Sequence, residues 1–172
     1  MVATDRKDAI DRFLERALDL FPMLDREVEA AVDRMEKLTK KIDRTTEQTV
    51  SGFGLNTGEF RLLLKLRQIP GERATAGRLA SALSLSSGAM TNRIDQLEEA
   101  GYVSRERDPD DRRNVVVVLT GAGRDVLAKA VDAQADEERR LLSALTPDEQ
   151  RQLNALLRTV LLSIEGDEPD VC

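Results

Sequence analysis

Between Ser86 and Arg113 the chain collects short hydrogen-bonding side chains first and guanidinium groups second. Ser86, Ser87, Thr91 and Asn92 offer compact donors and acceptors, and Gly88 lets another surface approach closely. Arg93 adds a cation that either contacts phosphate or extends over the head. Arg105, Arg107, Arg112 and Arg113 then cluster, with Asp111 among them. Groups of these types make no covalent chemistry by themselves. They suit hydrogen bonding to base edges and pairing with phosphate oxygens.

The elements that must position these groups are legible around them. Met90, Ile94 and Leu97 recur at the spacing of one helix face, which predicts a short helix locked to a core through that stripe. Ser87, Gly88, Thr91, Asn92 and Asp95 fall largely outside it. Gly101 suits the left-handed position just past a helix end. Tyr102 to Glu106 and Asn114 to Leu119 read as the strands of a hairpin, the four valines favouring strand. Asp108-Pro109-Asp110-Asp111 is its turn. A small-faced helix beside an arginine-tipped hairpin fits double-stranded DNA, the helix in the major groove and the hairpin at a phosphate strand or the minor groove.

Upstream, Asn56 followed by Glu59 reads as a capping box ahead of Phe60, Leu63 and Leu64. Pro70-Gly71 stops that helix. Glu72 to Ala74 reads as a short first strand, and Thr75 caps a helix carrying Leu79 and Leu83. Ser84 and Leu85 form the turn into the reading helix.

At these residues the chain resembles the MarR family of winged helix-turn-helix transcriptional regulators. The resemblance is carried by Leu55 to Leu66, Leu79 to Val103 and Arg107 to Gly123. It implies a mainly α fold, a winged helix-turn-helix head whose terminal helices form a dimerisation region. It implies that Asp111 orients Arg113, and that Arg113 enters the minor groove. Arg107 and Arg112 are neighbouring wing candidates, Arg112 for phosphate. Asn92 departs from the family, many members of which carry Arg there. A short amide does not make the bidentate guanine contact of arginine; it either pairs with adenine or plays a secondary role. The resemblance also implies repression relieved by a small aromatic or phenolic effector, for which Arg61 is a candidate anion contact. The long amino-terminal region and Ser-Gly-Ala-Met-Thr-Asn-Arg are similar to the urate-responsive subgroup. That subgroup uses a first-helix tryptophan, and this chain has no Trp.

The flanks are helical by pattern. Ile10, Phe13, Leu14, Ala17, Leu18 and Phe21 form one apolar face, broken at Pro22. Val28, Val32, Met35, Leu38 and Ile42 form a second. Thr45 to Leu55 reads as a loop or fraying helix end. Thr120 caps a helix whose heavy stretch includes Val126, Leu127, Ala130, Val131, Leu141, Leu142 and Leu145. Thr146-Pro147-Asp148-Glu149 starts another, with Leu153, Leu156, Leu157, Val160, Leu161 and Ile164 on one face. The expected organisation is 1–54 for dimerisation and a candidate effector pocket, 55–120 for the DNA-binding region, 121–165 for further dimerisation helices, and 166–172 as a flexible acidic tail.

Charge and composition narrow the function. The net charge is −6, which disfavours indiscriminate polyanion binding. Residues 51–120 hold ten Arg or Lys against nine Asp or Glu, whereas 121–172 hold six against eleven. The acidic surplus therefore lies outside the reading region. With no His, a catalytic triad using histidine and a Cys/His zinc site within one chain are excluded. No Gly-rich phosphate loop is present, so no catalytic residue, metal or cofactor is expected. Cys172 is the only cysteine and reads as an incidental tail residue. No secretory pattern or membrane-length apolar run occurs, so the expected location is cytoplasmic. The leading expectation is a ligand-responsive, homodimeric DNA-binding regulator acting on a partly palindromic operator. The alternative is a protein-interaction module of the same fold, without specific DNA binding or effector control.

Overall fold

A computed structural model of the chain describes residues 6–108 and 115–165. Backbone contacts divide the chain into two compact units, with the boundary after Thr45.

The first unit holds α1 (Ala9–Leu20) and the greater part of α2 (Arg26–Ser51). Asp8 caps α1 by accepting from the amides of Ile10 at 2.8 Å and Asp11 at 2.9 Å. Asp11 reciprocates, its carboxylate accepting from the Asp8 amide at 2.9 Å. Three orphan amides at the helix start, those of Asp8, Ile10 and Asp11, are thus satisfied. Ile10 and Leu14 bury against Ala30, with Leu18 packed at the side. This cluster is small, and an ion-pair clamp adds to it. Arg34 donates through Nε to Asp8 at 3.0 Å and through Nη2 to Asp11 at 2.7 Å.

At the end of α2 the structure takes the helical alternative as far as Ser51, so residues Thr45 to Ser51 are helix and the loop begins after them. The reason is tertiary. Val50 is fully buried in the core of the second unit, so packing carries the helix on to that point. The stop follows immediately. Gly54 lies at φ +72°, its amide donates to Ser51 O at 3.0 Å, and the Leu55 amide donates to Val50 O at 3.2 Å. Leu55 and Val50 share the same core cluster, the apolar contact that completes this helix end.

The second unit is built on α3 (Thr57–Gln68), whose box is formed as expected: Asn56 accepts from Glu59 N at 2.9 Å and Glu59 accepts from Asn56 N at 2.8 Å. Phe60, Leu62, Leu63 and Leu66 bury one side of it. A 3-10 turn at Pro70–Glu72 leads to β1 (Arg73–Thr75). The strand begins one residue later than the sequence suggested, because Glu72 takes a left-handed conformation at φ +53°. Its carboxylate bridges Arg67 and Arg124. Thr75 caps α4 (Ala76–Ala82), and Ser86 caps α5 (Ser87–Glu99) at 3.3 Å.

The sheet is antiparallel, in the order β1-β3-β2. β2 (Val103–Arg107) starts one residue beyond its predicted position, and β3 (Val115–Leu119) lies within the predicted second strand. Thr120 then ties three elements. Its hydroxyl donates to Gly101 O at 2.7 Å and accepts from Gly123 N at 3.0 Å, opening α6 (Gly121–Leu141). α6 packs on α3 through Leu127 and Ala130. α7 (Pro147–Glu165) starts at a box in which Glu149 accepts from Thr146 N at 2.8 Å. The architecture is the mainly helical winged head that the sequence predicts. Among the described residues, no helix is long and apolar enough to cross a membrane, and no cluster of His, Cys, Asp and Glu could hold a metal.

Candidate nucleic-acid interface

The reading helix α5 has two faces of opposite character. Met90, Ile94 and Leu97 are each about as buried as a side chain can be, at 1% exposure. Ser86, Ser87, Gly88, Thr91 and Asn92 are exposed on the other side. Ser86 is engaged in the cap, but the side chains of Ser87, Thr91 and Asn92 have no hydrogen-bond partner among the described residues. A Cβ added at Gly88 would meet nothing within 4 Å, so that end of the helix is open to a bulky partner. Both helix ends are fixed by backbone chemistry. At the start, Ser84 sits at φ +51° and the Leu85 amide reaches Ala80 O at 2.9 Å. At the finish, Gly101 sits at φ +76° and the Tyr102 amide reaches Leu97 O at 2.8 Å.

Arg93 takes a different course from its neighbours. It is half-buried, and its guanidinium lies over Gly58 at the start of α3. In this conformation it lies over the start of α3 and does not project beside Thr91.

Arg105 and Arg107 also separate. Arg107 is exposed at the end of β2, opposite Val115. Arg105 folds back on α5. Its guanidinium donates to Asp95 and Glu98, and its backbone amide donates to Glu98 at 3.0 Å. The Asp95 carboxylate, and then Glu98, hold its proton more firmly than usual, against the cost of partial burial. Sequence reading grouped Arg105 with the wing arginines and missed this role. A signal was present: Asp95 and Glu98 stand three apart, which puts two carboxylates on one helix face facing the strand that follows.

Asp111, Arg112 and Arg113 lie outside the described residues, as does most of the predicted turn. Arg61 is exposed on α3 and engaged in an interaction.

A helix-turn-helix followed by a two-stranded wing defines the class of this molecule, a winged-helix protein. The MarR family model matches residues 55–115. The regulator PecS of Dickeya dadantii is 31% identical over 144 residues, covering 83% of each chain. The multiple antibiotic resistance protein MarR of Escherichia coli is 30% identical over 125 residues, covering 72% of this chain and 85% of its own. The wild-type apo crystal structure of E. coli MarR superposes with a TM-score of 0.67 at 29% identity, over 75% of this chain and 94% of that one. A point mutant of the same protein, complexed with operator DNA, gives 0.63 at 27% identity, over 84% and 96%. The chain belongs to the MarR family. It is a transcriptional regulator of that family and not an enzyme.

Proposed function

We propose that the protein binds double-stranded DNA as a homodimer, reads a partly palindromic operator and represses transcription in the cytoplasm. The observation that carries this reading is the outer face of α5. Ser87, Thr91 and Asn92 are exposed and unpartnered among the described residues, while the opposite stripe anchors the helix. Thr91 and Asn92 reach base edges in the major groove, Ser86 and Ser87 hold the adjacent phosphate, and Gly88 permits the close approach. Arg107, Arg112 and Arg113 serve the wing, with Asp111 orienting Arg113. The relatives support the reading, since one of them has been crystallised on operator DNA.

The dimer is supported by apolar surface that each unit leaves uncovered. On α7, Leu156, Val160, Leu161 and Ile164 are exposed, Ile164 at 75%. On α2, Val28, Val32, Met35 and Ile42 are exposed along one face. A twofold pair covering these faces fixes the spacing of two reading helices. The palindrome follows from that symmetry.

Release by a small aromatic or phenolic anion completes the proposal, with Arg61 as the candidate contact. It is supported by the family resemblance. The test is a titration of duplexes tiling the DNA upstream of the protein's own gene, followed by footprinting. Two protected half-sites about one helical turn apart are expected. A thermal-shift panel of phenolic carboxylates, followed by operator release, tests the effector. Binding to a single half-site by one chain overturns the geometry. Equal affinity for upstream and scrambled duplex overturns the function.

A further inference from the structure

We infer that Arg105 is a positioning residue of the DNA-reading surface: it neutralises and fixes the two carboxylates that α5 carries beside its reading face. The inference rests on the DNA-binding reading above and deepens it. Asp95 stands one turn beyond Thr91 on α5, and Glu98 stands three beyond Asp95. Their side chains are 56% and 38% exposed, so both carboxylates lie at the surface. A phosphate strand approaching α5 would meet two negative charges next to the hydroxyl and amide that read it. Arg105 lies across both. Nη2 serves Asp95, Nη1 serves Glu98, and the main-chain amide holds Glu98 again at 3.0 Å.

The same bonds attach the base of the wing to the reading helix. Arg105 lies in β2, two residues before Arg107 and on the same side of the strand. A guanidinium whose Nη1 and Nη2 are both engaged by these acids has its fork already occupied. Swinging it out to a phosphate would break both side-chain ion pairs and leave Glu98 only the main-chain amide. The residue therefore acts through Asp95 and Glu98, not by touching DNA.

The test uses the full chain and the upstream duplexes, titrated at several salt concentrations. The variants are Arg105→Gln and the triple Arg105→Gln/Asp95→Asn/Glu98→Gln, with circular dichroism and light scattering as controls. Arg105→Gln should weaken binding at least about tenfold, because it uncovers two acids in each subunit. The triple variant should recover to within about threefold of wild type, with an unchanged salt slope, since no phosphate pair has been lost. If Arg105→Gln does not fold, the triple variant decides alone.

A triple variant that stays at least about tenfold weak, with a slope reduced by about one phosphate per subunit, makes Arg105 a direct phosphate contact and overturns the inference. So does wild-type affinity in Arg105→Gln. A wild-type chain that does not distinguish upstream from scrambled duplex is a different failure. It removes the DNA-binding reading itself, and this inference with it.

Discussion

Arg93 occupies the space that a side chain on Gly58 would need. A Cβ built on Gly58 would lie 2.5 Å from Cζ of Arg93 and 2.7 Å from its Nε. Gly123 is crowded in another way, because a Cβ there would lie 2.1 Å from the backbone oxygen of Tyr102. The two glycines look alike in sequence, and the structure sets opposite consequences for them. The end of an arginine side chain swings aside at little cost. A carbonyl that accepts from the Thr120 amide at 3.1 Å does not.

Gly58→Ala should therefore change stability by no more than about 1 kcal/mol, since alanine is the better helix former and offsets the displaced arginine. Gly123→Ala should cost about 1–3 kcal/mol through overpacking at the α6 start. Urea unfolding of both variants, with equal m-values, checks the pair. Equal losses at the two sites would show that Arg93 is as rigidly held as the Tyr102 carbonyl.

The clamp of Arg34 on Asp8 and Asp11 gives a pH prediction. The hydrogen bond from Arg34, and then backbone amides, hold the Asp8 carboxyl well below its usual value of 3.8. A carboxylate depressed in the folded state contributes stability above its unfolded pKa and loses it as pH falls through the folded one. Attachment of α1 to α2 should thus be complete near neutrality and weaken progressively below about pH 4. Arg34→Met should produce the same weakening at neutral pH. Amide protection factors in α1 report it directly. Protection that stays level down to about pH 2 would remove the clamp from the account.

These cases mark what the sequence could and could not disclose. Caps are local, so Asn56 with Glu59, Thr146 with Glu149, Ser86 and Thr120 all act where residue order places them. The Met90, Ile94 and Leu97 stripe was equally plain, because helix period and burial agree. What escaped was decided across space. The last turns of α2 are helical because Val50 has a core to enter. Arg105 carries the charge of a DNA contact, but it meets the Asp95–Glu98 pair only in the fold, and the choice between the two courses open to Arg93 is made by the space over Gly58. Strand ends moved by one residue where a left-handed Glu72 consumed a position.

The uncovered face of α7 predicts the assembly state. Light scattering at micromolar concentration should give about twice the 19.1 kDa chain mass. Leu157→Glu or Leu161→Glu should shift it toward the monomer, because assembly would bury an unpaired carboxylate. A wild-type particle that stays at one chain mass removes the dimer, and with it the two-half-site geometry.

The division of labour between helix and wing gives the final prediction. Thr91 is exposed on α5 without a partner among the described residues, so its hydroxyl is available to a base edge. Base contacts discriminate, whereas phosphate contacts hold any sequence alike. Thr91→Ala should therefore narrow the gap between operator and scrambled duplex, with little change in salt slope. Arg113→Ala should act differently. It removes a wing contact from each subunit, so a loss of roughly 1–2 kcal/mol per site is counted twice, and operator affinity should fall at least about tenfold. The salt dependence should flatten where Arg113 pairs with phosphate charge. Asp111→Ala keeps the guanidinium but releases its fork, so a smaller loss is expected, with affinity affected more than slope. Titrating both duplexes at several salt concentrations separates the three patterns. A folded, dimeric Arg113→Ala protein with undiminished operator affinity would withdraw the wing from the reading mechanism and leave α5 to carry it alone.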